Sequence, residues 1–192
     1  TESNVDVKID KVEANPMVKI SFNDLTINSH LIGIYNANNI NAAITIGNYF
    51  KVSDEQIKEA IENYIPENNR SQLIQKNGNE IILDAYNANP SSMSAAITNF
   101  IQLENNHKIA VLGDMFELGE ESLSEHKKIV ALLISETNIT TYFIGKDFYA
   151  NQAQNSHFKF FENFENFATF FKVNQPKKSL ILIKGSRGMA LE

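Results

Sequence analysis

The stretch Ile81–Met93, IILDAYNANPSSM, constrains the fold of this chain more than any other. A short apolar run (Ile81, Ile82, Leu83) ends in an acid, Asp84, and a polar, turn-prone cluster follows in Asn87, Asn89 and Pro90. Met93, Ala96, Ile97, Phe100 and Ile101 then recur at i, i+3, i+4, i+7 and i+8, which is one face of a helix. Pro90 suits the first helical position, with Asn89 as its cap. The spacing predicts strand, polar loop, helix, with a carboxylate and two amides at the strand's carboxyl end. In open α/β sheets ligands bind at that edge. The stretch reads as a ligand-binding edge.

Upstream, residues 1–31 read as a meander of strands. Val5, Val7 and Ile9 alternate, as do Val18, Ile20 and Phe22, then Leu25, Ile27 and, less regularly, Leu31. Asn15-Pro16 and Asn23-Asp24 supply turns. The period then changes to that of helices over Asn36–Tyr49 and Ser53–Ile65. The second carries a Ser53/Gln56 capping box and a stripe of Ile57, Ala60, Ile61 and Tyr64. Pro66–Arg70, PENNR, reads as a linker.

Downstream, Leu73–Gln75 and Glu80–Asp84 flank Asn77-Gly78, a strong hairpin signal. Strand Ile109–Gly113 is followed by a helix from Ser122, with a second capping box in Ser122 and Glu125. Strand Thr141–Ile144 precedes a short helix near Asp147–Gln154, and strand Phe158–Phe160 a helix at Asn163–Val173. Strand Leu180–Lys184 leads into Gly185-Ser186-Arg187 and the first turn of an expected last helix. Strands alternating with helices predict an α/β fold, a Rossmann-like domain with a mainly parallel sheet.

The 192 residues suffice for one large domain, or one domain plus part of another. A net charge of −6 with no basic cluster argues against nucleic acid or a membrane surface as partner. No apolar run approaches the length of a membrane span, and the polar start shows no signal peptide. There is no cysteine for a disulfide or thiolate metal site, which fits a cytoplasmic protein. The missing initiator Met suggests an excised or processed piece.

Several chemistries are excluded by pattern. The loop after the first strand of the α/β half contains no glycine, so NAD or FAD binding in the Gly-x-Gly-x-x-Gly mode is not expected. No Gly-x-x-x-x-Gly-Lys-Ser/Thr occurs in the chain, and the four histidines lack ligand spacing.

Other stretches admit two readings. In GIYNANNINAA, Asn36 and Asn39 suit an adenine edge, because amides both donate and accept; Asn36 equally suits helix capping. Arg70 suits a phosphate or a solvated surface. Asp114 and Glu117 in VLGDMFELG suit Mg²⁺, a substrate amine, or a turn. In IKGSRGM, Lys184, Ser186 and Arg187 suit an anion cradle or a turn that needs flexible glycines. The Phe158–Phe171 run, with acids rather than cations around it, reads as core.

The order of these motifs is more specific than any one of them. GIYNANNINAA, NNR, DAYNANPSSM, VLGDMFELG and IKGSRGM together resemble the Mur ligases of peptidoglycan synthesis, over nearly the whole chain from Gly33 onward. DAYNANPSSM, GDMFELG and KGSRGM are similar to the versions in the ligase that adds D-alanyl-D-alanine to UDP-N-acetylmuramoyl-tripeptide.

The resemblance implies that residues 1–67 end a central ATPase domain and that 68–192 form the C-terminal Rossmann-like domain. It implies ATP-dependent amide formation through an acyl phosphate, with ATP and Mg²⁺ as cofactors and the metal ligands upstream of this stretch. UDP-N-acetylmuramoyl-tripeptide and D-alanyl-D-alanine are the implied substrates, and a monomer is expected. By the same resemblance Asn36 and Asn39 contact adenine, Arg70 the phosphates and Asp84 the ribose. Asn87 and Asn89 face the reacting centre, and Lys184 joins them there. Ser186 and Arg187, with Asp114 and Glu117, lie toward the amino substrate. Tyr35 departs from the pattern, since many members carry His there. The competing expectation is a non-catalytic Rossmann-like module that binds a nucleotide or a partner.

Overall fold

Alternating apolar residues in the first part of the chain build an antiparallel meander in the computed structural model, which describes residues 7–192. Val5, the first residue of the expected alternation, lies outside them. Strands β1 (Ile9–Ala14), β2 (Met17–Phe22) and β3 (Leu25–Ile32) pair in that order. Period-2 alternation puts Val18, Ile20, Phe22 and Ile27 on one face, where they bury against α1 (Ala37–Tyr49) through Ala37, Ile40 and Ile44. Ile57 of α2 (Asp54–Glu62) completes that core.

The expected capping box opens α2: Ser53 Oγ accepts from the Gln56 amide, and Gln56 Oε1 from the Ser53 amide. The helix ends earlier than its pattern suggests. Its regular part stops at Glu62, so Tyr64, expected in the buried stripe, lies beyond it and is exposed, as is Ala60 on the helix itself; only Ile57 is fully buried, with Ile61 partly so.

The chain divides into two compact units, up to Glu67 and from Asn68 to Glu192. The second opens with the hairpin of β4 (Gln72–Lys76) and β5 (Asn79–Asp84). Its turn residues Asn77 and Gly78 both hold positive φ, as a tight primed turn requires. There follow α3 (Pro90–Gln102), β6 (Lys108–Gly113), α4 (Ser122–Leu133), β7 (Ile139–Ile144) and α5 (Lys146–Ala150). β8 (Phe158–Phe161), α6 (Phe164–Val173) and β9 (Leu180–Lys184) complete the unit.

The six strands lie in the order β4-β5-β9-β6-β7-β8, with only the β4–β5 pairing antiparallel. Every residue of β6 is buried, as expected of a central strand covered on both faces. Phe161, Phe164, Phe167, Phe170 and Phe171 pack around Tyr142 and Ile181, so the phenylalanine run is core.

Two further local expectations fail. Ser122 and Glu125 do not form a capping box: a 3-10 turn over Gly119–Glu121 runs straight into α4, and Ser122 Oγ instead donates to Asp147 Oδ2 at 2.7 Å. After β9 there is no helix start but a 3-10 turn, Arg187–Met189, closed by Ala190 in the left-handed region. Leu191 then returns to the core under Gly113 and Gly185.

What positions the site is the placement of β9. It inserts between β5 and β6, so the last strand of the unit aligns Lys184 directly beside Asp84.

Candidate functional site

The carboxyl ends of β5, β9 and β6 lie side by side and carry most of the residues singled out in the sequence. Asp84 closes β5 and Lys184 closes β9. Lys184 is 2% exposed, and its Nζ sits 2.6 Å from Asp84 Oδ2 while also donating to the Asn87 carbonyl at 3.3 Å. Asp84 Oδ1 accepts from the Ser71 backbone amide at 3.2 Å. The ammonium is thus turned inward, pinning the DAYNANP loop to the sheet. A charge this buried persists only when paired and hydrogen-bonded.

The loop beyond Asp84 is built from local bonds. Asn87 is exposed, and its Oδ1 accepts from the Ala88 amide at 2.9 Å. Asn89 caps α3: its Oδ1 accepts from the Ser92 amide at 2.8 Å and from Ser91 Oγ, and its own backbone amide donates to Ser92 Oγ. The Asn89 side chain is therefore committed to the helix. Asn89→Ala is expected to lower stability by about 1 kcal/mol, readable as a shifted urea midpoint with an unchanged slope.

On the far side of Lys184, the next loop is bolted to the β6 loop. Ser186 is buried; its amide donates to the Asp114 carbonyl at 3.1 Å, and its Oγ accepts from the Phe116 amide at 2.8 Å. Arg187 is exposed. Its guanidinium carbon lies over the Tyr86 ring, 5.4 Å from the centroid, and that of Arg70 lies over the same ring at 3.7 Å. Arg70, by hydrogen bond and charge, and then Arg187 hold the Tyr86 phenol below its ordinary pKa. Tyr86 carried no signal of its own beyond its place between Asp84 and Asn87.

Asp114 and Glu117 part company. Glu117 is exposed, on a positive-φ turn. Asp114 is buried, and its two oxygens accept the amides of Asp147 and Phe148, each at 3.0 Å. It thereby caps α5 from another segment. Burial pushes its carboxyl pKa up, opposed by those two amide bonds.

His126 and Asp147 join Asp114 in a trio whose polar atoms are close enough for a cation. The imidazole is already spent: Nε2 accepts from the Met115 amide at 3.0 Å, which leaves Nδ1 to donate to the Ser122 carbonyl at 2.7 Å. With Nε2 an acceptor the ring is neutral, and its 3.5 Å approach to Asp114 is not an ion pair. The trio is a structural bracket. Nothing in the spacing of Asp114, His126 and Asp147 announced it.

A recess of about 540 Å³ opens beside this bracket, lined by Asp114, Phe116, Lys146, Asp147, Phe164 and Met189 among others. Its walls come from the loops at the carboxyl ends of β6, β7, β8 and β9, the expected location for a ligand in an open α/β sheet.

In the first unit, Asn36 is buried and does not cap α1. Its Nδ2 donates to the Ile32 carbonyl at 2.8 Å and its Oδ1 accepts from Asn39 Nδ2 at 2.9 Å. Asn36 therefore aims Asn39, which is exposed. The Tyr35 ring covers Gly33, whose φ of 87° and lack of a side chain permit that approach.

With the geometry in place, comparison with known proteins is specific. Residues 69–187 match the family model described as Mur ligase, glutamate ligase domain. The UDP-N-acetylmuramoyl-tripeptide–D-alanyl-D-alanine ligase of Bacillus subtilis is 36% identical over 171 residues, covering 84% of this chain and 37% of that protein. A crystal structure of MurF from Acinetobacter baumannii superposes with a TM-score of 0.82 at 26% identity, covering 97% of this chain and 43% of the other. MurF from Thermotoga maritima in complex with ADP, 20% identical, shares the fold with a TM-score of 0.75 over 96% of this chain and 44% of its own. The chain thus spans well under half the length of these relatives. Because the matched model covers most of the chain and lies within the unit whose sheet edge gathers the motifs, this chain belongs to the Mur ligase family.

Proposed function

We propose that this chain is part of an ATP-dependent ligase that joins D-alanyl-D-alanine to UDP-N-acetylmuramoyl-tripeptide. On this reading residues 1–67 end the central ATPase domain and 68–192 are the C-terminal domain. One observation carries it: the match to ligases of that name runs through both units, taking in the Asn36–Asn39 helix as well as the sheet edge. On this reading the reaction is cytoplasmic; among the described residues no helix is long and apolar enough to cross a membrane.

The chemistry is acyl activation followed by aminolysis. The tripeptide carboxylate takes the γ-phosphoryl group of ATP and ADP leaves. The dipeptide amine then attacks the acyl carbon, and the tetrahedral intermediate expels phosphate as the amide forms. Such steps depend on positioning and on stabilising phosphoryl charge.

The residues fit parts of this scheme. Asn39 offers an exposed amide, held by Asn36, for an adenine edge. Arg70 offers an exposed fork for phosphate oxygens. Asp84 has acceptor capacity left on Oδ2 for a ribose hydroxyl, since Oδ1 already takes the Ser71 amide and hydroxyl, while Lys184 and Asn89 hold the Asn87 loop in place from within. The recess beside Asp114 suits a small amino substrate, with Ser186 and Arg187 immediately preceding the Gly188–Ala190 wall in the chain rather than lining it. For Mg²⁺ the residues here do not fit: Asp84 is paired with Lys184, and Asp114 is occupied by two amides. No step is assigned to the metal on these residues.

The test is ADP release that requires both UDP-tripeptide and D-alanyl-D-alanine. The 192-residue chain, whose sequence lacks Gly-x-x-x-x-Gly-Lys-Ser/Thr, is expected to release none. A longer protein that includes this chain and such a loop is expected to release ADP only when both substrates are present. Release without the dipeptide, or acceptance of a single amino acid in its place, would overturn the assignment.

A further inference from the structure

Tyr86 stands two residues past Asp84, part-exposed, with two cations drawn to it from distant parts of the unit. The Arg70 and Arg187 guanidinium carbons lie 3.7 and 5.4 Å from its ring centroid. They are therefore no farther from each other than those two distances laid end to end. Neither arginine forms an ion pair with a carboxylate among the described residues. Two cations gathered on one ring with no carboxylate partner leave a local excess of positive charge that an oxyanion can neutralise. A guanidinium lying over a ring still presents N–H groups at its edge in a fixed fork, which matches a planar or tetrahedral oxyanion. The phenol of Tyr86 feels the same excess of positive field, since both arginines favour its ionised form.

We propose that Tyr86 is a positioning residue that holds Arg70 and Arg187 as one clamp for an oxyanion, a carboxylate or a phosphoryl group. On the ligase reading the occupant is either the terminal carboxylate of the dipeptide or a phosphoryl group. The clamp rests on that reading for its occupant's identity, not for its existence. Arg70 and Arg187 would then act together rather than as separate phosphate and amino-substrate residues, with the ring as their shared support.

The experiment uses the 192-residue chain with isotope-labelled arginine, titrated with inorganic pyrophosphate and, separately, with D-alanyl-D-alanine. The expected result is that the Nε–H resonances of Arg70 and Arg187 move together along a single isotherm. A response to the dipeptide identifies a carboxylate as occupant, and a response to pyrophosphate alone identifies a phosphoryl group. Tyr86→Leu is expected to weaken binding about tenfold and Tyr86→Phe, which keeps the ring, to restore it. Should Tyr86→Leu lose its fold by circular dichroism, Arg187→Lys takes its place. Keeping charge but losing the fork, it is expected to weaken binding and to shrink the Arg70 shift. Movement of one arginine alone, or unchanged affinity in a folded Tyr86→Leu or Arg187→Lys chain, overturns the clamp. Failure of the ADP-release assay with pyrophosphate binding intact would remove the ligase reading and leave the clamp standing.

Discussion

Gly145→Ala is expected to destabilise the second unit by roughly 3 kcal/mol or more, the sum of a clash and a forbidden backbone. Gly145 stands at the N-cap of α5 with φ 124° and ψ 165°, a region that only glycine enters freely. A Cβ there would fall 2.2 Å from the Asp114 carboxyl carbon. Asp114 cannot retreat, because its oxygens hold the Asp147 and Phe148 amides. Relief by moving Asp114 would leave those two amides without their acceptor and its own burial uncompensated. Gly119→Ala is the internal control. It too has positive φ, 56°, but nothing lies within 4 Å of the added carbon, so about 1 kcal/mol from left-handed strain alone is expected. Urea denaturation of the two variants side by side reads the difference. Equal losses would mean that the Asp114 contact yields easily.

Lys184→Met is expected to lower stability by about 3 kcal/mol, because removing one partner of a buried ion pair strands the other. Asp84 would keep the Ser71 amide but lose its counter-ion, and the Asn87 carbonyl would lose a donor. The double variant Asp84→Asn, Lys184→Met is expected to recover much of the loss, since no unpaired charge remains. A double-mutant cycle by denaturation measures the coupling. The same cycle separates two roles. In a longer protein that releases ADP, a Lys184 that touched the reacting atoms would leave the double variant stable but without turnover. A positioning role instead predicts turnover that returns with the stability.

Much of the fold was legible in local pattern. IILDAYNANPSSM reads directly as β5, a polar loop and α3, because burial on one face imposes a period and because Asn89 and Pro90 can start a helix without help from elsewhere. The Asn77-Gly78 turn was legible for the same reason: positive φ at two successive positions narrows the choice of residues. The Ser122/Glu125 signal misled, since Ser122 has a better acceptor in Asp147, a residue that comes near only after α5 has packed against α4.

The candidate site was legible in part. Asp84, Asn87, Ser186 and Arg187 do come to one edge, as their position after strands implies. Their individual tasks were not legible. Lys184 and Asn89 resemble residues that reach a substrate, yet one is buried against Asp84 and the other is a cap. Tyr86, Gly145 and His126 had no spacing to mark them, because each acts on a partner from another strand or helix.

By itself, then, the sequence determined the elements, their periods, the carboxyl-edge loops and the family these loops belong to. Only the tertiary structure decided which edges meet. Strand pairing joins residues through backbone bonds that every sequence can make, so no local pattern records that β9 inserts between β5 and β6. That insertion puts Lys184 beside Asp84, one hundred positions away, and turns the polar end of IILDAYNANPSSM from a loop into a supported wall.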